Sequence, residues 1–159
     1  MQLSEVDLIH NPSLGAYLLR CSVSGYFSEC SRGMPVHLAF LVLPIALHWQ
    51  SRQLGFGTNR ASGLTMFAAK LGAHQEDLLA VHARALVLRE LSLSSITLGC
   101  GSRLMAIDPI SAVIIPLDAG KLPKQSDSIQ KLGGLCEKFG AWFARLPPEQ
   151  VASVLRIEF

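Results

Sequence analysis

From Met34 to Leu47 the chain is almost wholly apolar, interrupted only by His37 and by prolines at positions 35 and 44. The apolar positions follow no one-sided helical period, so the run is not a surface helix. A segment that is apolar all round is buried on every side. It is too short to cross a membrane, which takes about 20 apolar residues. This run is therefore the expected spine of the fold. Pro44 has no amide donor and breaks or kinks a helix. The spine is thus expected as two short helices, from about Pro35 to Leu43 and from Pro44 to Gln50.

Asn11 suits an N-cap and Pro12 a first helical position, which predicts a helix from Pro12 to about Glu29 before the break at Gly33. Ser51 to Arg60 reads as a loop in which Gly55 and Gly57 permit unusual backbone angles. A helix follows from Ala61 to Leu71 and stops at Gly72. The next runs from Glu76 to Glu90 with acids in its first turn. It is apolar nearly all round and so is also expected to be central. A further short helix starts at Leu91 and ends near Gly99.

The period then changes. Arg103–Ile107 and Ile110–Pro116 are rich in β-formers and meet at Asp108-Pro109, which predicts a small hairpin. Leu117 to Lys121 supplies a turn, and Lys121 to Ser128 is a polar linker. The clearest helix comes last: Ile129, Leu132, Cys136, Phe139, Trp142, Phe143 and Leu146 recur at three- and four-residue steps. Its glycines, Gly133, Gly134 and Gly140, each cost about 1 kcal/mol against alanine, a cost explained if another element packs closely there. Pro147-Pro148 ends it, and Glu149 to Leu155 forms a terminal helix. The order predicts one α+β domain over residues 1–159, mainly α-helical. N-terminal helices (12–50) and C-terminal helices (127–159) flank a winged helix-turn-helix-like core with a small β-hairpin (61–116).

Half of the 159 residues are apolar and only 16% are charged, against about 25% in typical domains. The excess must be hidden inside the molecule or against partners. The net charge of +2 does not by itself call for nucleic acid. Its distribution says more: no acid lies between Glu29 and Glu76, where Arg32, Arg52, Arg60 and Lys70 all fall. Such a region suits phosphate or an acidic protein surface, and a solvated loop accounts for it equally well. Cys21, Cys30, Cys100 and Cys136 make no CxxC pair, and Met1 to Asn11 holds Glu5 and Asp7 with no apolar run. No secretory signal is expected, and reduced thiols in the cytoplasm are the simplest account. The five histidines, at positions 10, 37, 48, 74 and 82, make no HxxxH and no Cys/His pair at ligand spacing. Neither metal nor cofactor is expected.

Catalytic signatures are missing from the sequence. There is no Gly-x-Ser-x-Gly elbow, no His-Glu-x-x-His and no lysine after a glycine-rich phosphate loop. Gly55-Phe56-Gly57 lacks the third glycine of a dinucleotide fingerprint, because position 60 is arginine. Asp118-Ala119-Gly120-Lys121 matches the end of a phosphate loop, but Ile115 and Leu122 stand where glycine and Ser/Thr belong. The chain is not expected to be an enzyme.

Three groups of residues carry a family resemblance. The first is Asn11-Pro12-Ser13-Leu14-Gly15 with Gly25-Tyr26. The second is Met34-Pro35, Leu38, Phe40-Leu41-Val42-Leu43-Pro44 and Leu47-His48. The third is Phe139-Gly140-Ala141-Trp142-Phe143-Ala144. In these the chain resembles the middle component of three-component ABC systems, of which the Lamassu-type anti-phage and anti-plasmid systems are members. None of these residues is a catalytic signature, and Ser51 to Lys124 matches only in its pattern of helices and hairpin. The resemblance implies a cytoplasmic, non-catalytic adaptor. It would link an SMC-like ABC ATPase that senses foreign DNA to an effector such as a nuclease. Contact with DNA would come through the complex, and no membrane is implied.

An adaptor docks through exposed aromatic and arginine side chains, which dominate interface energy. The candidates are Tyr26, Trp49, Arg52, Phe56 and Arg60; Trp142 lies on a periodic face and is expected in the core. Arg103, on the hairpin, is a candidate phosphate contact. The alternative is a winged-helix DNA-binding regulator. Against it, Leu91 to Cys100 offers no Arg, Lys, Asn or Gln to read base edges.

Overall fold

Asn11 and Pro12 start the first helix as their chemistry requires. A computed structural model describes residues 4, 8, 10–120 and 122–159. In it the Asn11 side chain accepts from the Leu14 amide at 3.0 Å, and helix α1 spans Pro12–Cys30. Ser31, in the left-handed region at φ 55, ends it by donating its amide to the Phe27 carbonyl at 2.7 Å. A two-residue strand, β1 (Met34–Pro35), leads into α2 (Val36–Ala46).

Helix α2 is the expected spine. Leu38, Ala39, Leu41, Val42, Leu43 and Ile45 are all buried, and each large side chain among them stabilises the fold by about 1.5–3 kcal/mol. The proline break falls differently from the expectation. Pro44 sits inside α2, which ends two residues later at Ala46. The next helix, α3, is Trp49–Phe56, so most of the expected loop from Ser51 to Arg60 is helical. A single 3₁₀ turn (Arg60–Ser62) then leads to α4 (Gly63–Gly72), α5 (Gln75–Val87) and α6 (Arg89–Gly101).

Helix α5 corrects another expectation. Of its residues only Val81 is fully buried, while Leu79, Leu86 and Val87 are exposed. The spine packs against α1, α3, α6 and α7 (Asp127–Ala144) and also against α5, which turns Leu78, Val81 and Ala85 to the core and leaves its outer side uncovered. A sequence that is apolar all round does not bury a helix whose far side meets no other element.

The hairpin is present as β2 (Met105–Asp108) and β3 (Val113–Pro116), but the sheet has a third strand. β1 pairs antiparallel with β3, Met34 opposite Ile114, giving the order β1-β3-β2. The sheet therefore draws on residues well before position 61. The turn expected over Leu117–Lys121 is described only as far as Gly120, at φ +66; Lys121 lies outside the described residues.

Helices α1 and α7 form the largest helix pair, and they run in the same direction. Tyr17 faces Gly133, the Tyr26 amide faces Gly140, and Arg145 pairs with Glu29 at 2.8 Å. Gly25 and Gly140 sit where the backbones meet. A methyl group at Gly140 would overlap the Ser22 carbonyl oxygen, and one at Gly25 would overlap that of Glu137. This is the close packing predicted for Gly133 and Gly140; Gly134, the third glycine of that expectation, is exposed with nothing packed on it. On the core side of α7, Phe139 and Trp142 meet Phe67 of α4 in a triangle of rings with centroids 5.4–5.7 Å apart. A short helix, α8 (Pro148–Leu155), closes the fold, which is α+β and mainly helical.

Candidate partner-binding surface

The candidate residues concentrate on α3 and the 3₁₀ turn, and these are held in place largely by cations from α7 and α4. At its start, α3 is capped by His48, whose Nδ1 accepts from the Ser51 amide at 3.4 Å. Ser51 is buried, and its hydroxyl also receives Arg84 Nη2 at 3.1 Å. At its end, Lys138 of α7 donates to the carbonyls of Gly55 and Thr58 at 2.7 and 2.8 Å. Lys70 of α4 donates to the Gly57 carbonyl at 2.9 Å. Positive charge at a helix C-terminus is favourable, because the free carbonyls there carry partial negative charge. These contacts explain why a stretch with weak helical signals is a helix.

The two glycines are not there for unusual backbone angles. Gly55 is helical and buried, and a methyl group on it would come within 2.8 Å of Leu135 Cδ1. Gly57 has an ordinary φ of −80°. Among the described residues from Trp49 to Gly72, the one with positive φ is Gly63, at φ +77.

The 3₁₀ turn is fixed through the Arg60 carbonyl, which accepts from Trp142 Nε1 at 2.9 Å and from Arg145 Nη1 at 2.7 Å. The Arg60 side chain points outward and pairs with Glu137 at 3.4 Å, both about half-exposed. Such a pair contributes at most about 1 kcal/mol. Partial burial, then the charges of Lys70 and Arg60, hold the Lys138 ammonium below the usual lysine range.

The candidates divide by exposure. Trp49 is 58% exposed at the start of α3, and Arg60 is exposed. Arg52 is half-buried, and so is Phe56, whose ring lies under the Lys131 ammonium at 4.6 Å. Tyr26 is buried in the α1–α7 contact and presents no docking surface, because the close helix crossing encloses it. Trp142 is in the core. Arg103 is exposed at the turn between α6 and β2, at φ 58.

Sequence reading missed two groups. Lys131, Lys138 and Arg145 recur at seven-residue steps along one side of α7, a spacing visible in the sequence. The outward apolar stripe of α5, Leu79, Ala83, Leu86 and Val87, was read as core instead. Among the described residues, no cluster of three His, Cys, Asp or Glu side chains is arranged to hold a metal. No helix among them is long and apolar enough to cross a membrane.

The structure thus presents a small helical domain with an apolar stripe on one helix and a cationic row on another. The profile of the ABC-three component (ABC-3C) system Middle Component 3 family matches residues 2–159. The chain belongs to that family and is a component of an ABC ATPase-associated system. No curated protein and no solved structure matches it.

Proposed function

We propose that this chain is a non-catalytic adaptor of a Lamassu-type bacterial defence system. In the cytoplasm it links an SMC-like ABC ATPase that senses foreign DNA to an effector such as a nuclease. The observation that carries this reading is the stripe on α5. Leu79, Leu86 and Val87 are 61%, 62% and 79% exposed, and Leu79, Ala83 and Leu86 share one helical face. Gln50 lines the same cleft as Gln75, Glu76 and Asp77 at the start of α5. An exposed apolar helix face of this kind marks a protein–protein contact.

The test is co-expression with the neighbouring ATPase. The wild-type chain is expected to co-purify with it. Leu79→Glu/Leu86→Glu should keep its circular dichroism and melting temperature but bind at least 30-fold more weakly, the equivalent of about 2 kcal/mol of hot-spot energy. Full binding by the double variant, or no complex with the wild type, refutes the adaptor reading.

The strand order favours a second reading of the architecture. Helix, β1, helix, then α6, β2 and β3 in the order β1-β3-β2 supports a winged helix, with α3 to α5 inserted before its last helix. That layout does not favour a sequence-reading regulator. The exposed positions of α6 include Leu93, Ser94, Thr97 and Leu98, and Arg89 is its only basic residue.

A further inference from the structure

The cations that hold α3 in place also form a surface. Lys131, Lys138 and Arg145 span about 21 Å of α7 at 1.5 Å per residue, the rise of about six base pairs of a nucleic-acid duplex. Lys70 and Lys138 meet the neighbouring carbonyls of Gly57 and Thr58, and Arg60, two residues on, takes Arg145 on its own carbonyl. Arg52 stands one turn before Phe56, on which Lys131 rests. The carboxylates bonded within this group are Glu29 and Glu137. The group therefore carries more positive charge than the whole chain, whose net charge is +2. Its internal bonds do not use up its donors. A lysine ammonium has three and a guanidinium five. Lys138 spends two on carbonyls, Arg145 one on Glu29 and one on the Arg60 carbonyl, and Arg60 one on Glu137.

We propose that the row Lys131, Lys138 and Arg145, with Arg60 beside it, is a docking surface for the phosphate backbone of duplex nucleic acid. Three features favour this over an acidic protein surface or a single strand. The exposed residues between the cations, Gly57, Asn59, Ala61 and Ser62, offer no large apolar anchor of the kind protein interfaces use. Apart from Met66, one turn before Lys70 on α4, and Phe27, near Glu29 on α1, the large exposed apolar side chains of the helices lie elsewhere, notably on α5 and at Trp49. Single-strand binding relies on open aromatic platforms, whereas here the Phe56 ring is covered by Lys131 and Trp142 is buried. The inference does not rest on the adaptor reading, which the stripe on α5 carries; the two share only Arg60 among their candidate residues.

The test is fluorescence anisotropy of the full chain with a labelled 20-base-pair DNA duplex of arbitrary sequence. Four phosphate contacts predict a log–log salt slope of about −3.6, a loss of about 150-fold in affinity between 50 and 200 mM salt. Arg60→Gln/Lys131→Gln, both at exposed positions, should melt like the wild type and flatten the slope to about −1.8. Glu137→Gln should tighten binding several-fold by freeing Arg60, a gain that misfolding cannot imitate. No salt-dependent binding, or an unchanged slope in the double variant, overturns the proposal. So does a single strand that competes better than the duplex. Polyglutamate competing as well as the duplex at equal charge would assign the surface to an acidic protein instead and overturn it too.

Discussion

Gly140 and Gly134 lie less than two turns apart on α7, and alanine should act on them with opposite sign. Nothing lies within 4 Å of a methyl group at Gly134, which is exposed. Gly134→Ala should therefore recover the helix propensity alone, about 0.5–1 kcal/mol. At Gly140 the same methyl overlaps the Ser22 carbonyl oxygen and comes 2.9 Å from the Tyr26 amide nitrogen. Both obstacles are backbone, so no side chain can swing aside and the helices must part by about 1 Å. Gaps of that size forfeit a quarter to a half of each dispersion contact along the seam. That seam brings Tyr17, Ser22, Gly25 and Tyr26 of α1 against Gly133, Glu137 and Gly140 of α7. The cost belongs at the top of the usual overpacking range of about 1–3 kcal/mol. A net loss of about 2 kcal/mol remains after the propensity gain. For a chain of this length that lowers the melting temperature by about 4–8 °C, while Gly134→Ala raises it by about 1–4 °C. Urea titrations of the two variants beside the wild type measure both. If Gly140→Ala proves as stable as Gly134→Ala, the helices do not cross backbone to backbone.

Three further outcomes follow from the packing. The two tryptophans should separate in iodide quenching: Trp49, 58% exposed, is quenched and Trp142, fully buried, is not. Trp49→Phe should remove the quenchable emission, and quenching that persists would refute this. Burial pushes the Cys136 thiol well above its ordinary range and raises Cys21 as well, while Tyr17 is pushed up to about 12. A raised folded value means stability is complete below the unfolded thiol value of about 8.5. Above it stability falls, by about 1.4 kcal/mol per pH unit for Cys136. Cys136→Ala should flatten the alkaline limb of a stability–pH curve, and an unchanged limb would refute the assignment. Arg84 donates to the Pro44 carbonyl at 3.3 Å and to the buried Ser51 hydroxyl. Arg84→Met should cost about 1.5–3 kcal/mol in denaturant titration, and an unshifted midpoint would show that these bonds contribute nothing.

What the sequence disclosed and what it hid follow from locality. The Asn11 cap, the periodic face of α7 and the all-apolar spine are written in neighbouring residues, and each is found close to its expected place. Helix α3 was illegible because its far end is capped by Lys138 and Lys70, from other elements. The strand β1 is two residues long and exists only through pairing with Val113 and Ile114. Helix α5 misled because hydrophobic pattern reports what a residue prefers, not whether a neighbour is there to cover it. The cationic surface was half legible. Arg52, Arg60 and Lys70 stood out by the missing acids around them. Their companions on α7 lie far along the chain, and only the fold brings the two groups together.

The parallel pairing of α1 with α7 has a kinetic consequence. Its contacts join residues more than a hundred positions apart, such as Glu29 with Arg145. Loops of that length must close before the pairing stabilises anything, which slows folding. On the ribosome the glycine face of α1 and one side of the spine stay uncovered until the chain has been made past Ala144. For most of its synthesis this protein is an apolar chain awaiting its last long helix, a state prone to aggregation. Timely contact with a chaperone, or with a partner already in place, would then decide how much of it survives to fold.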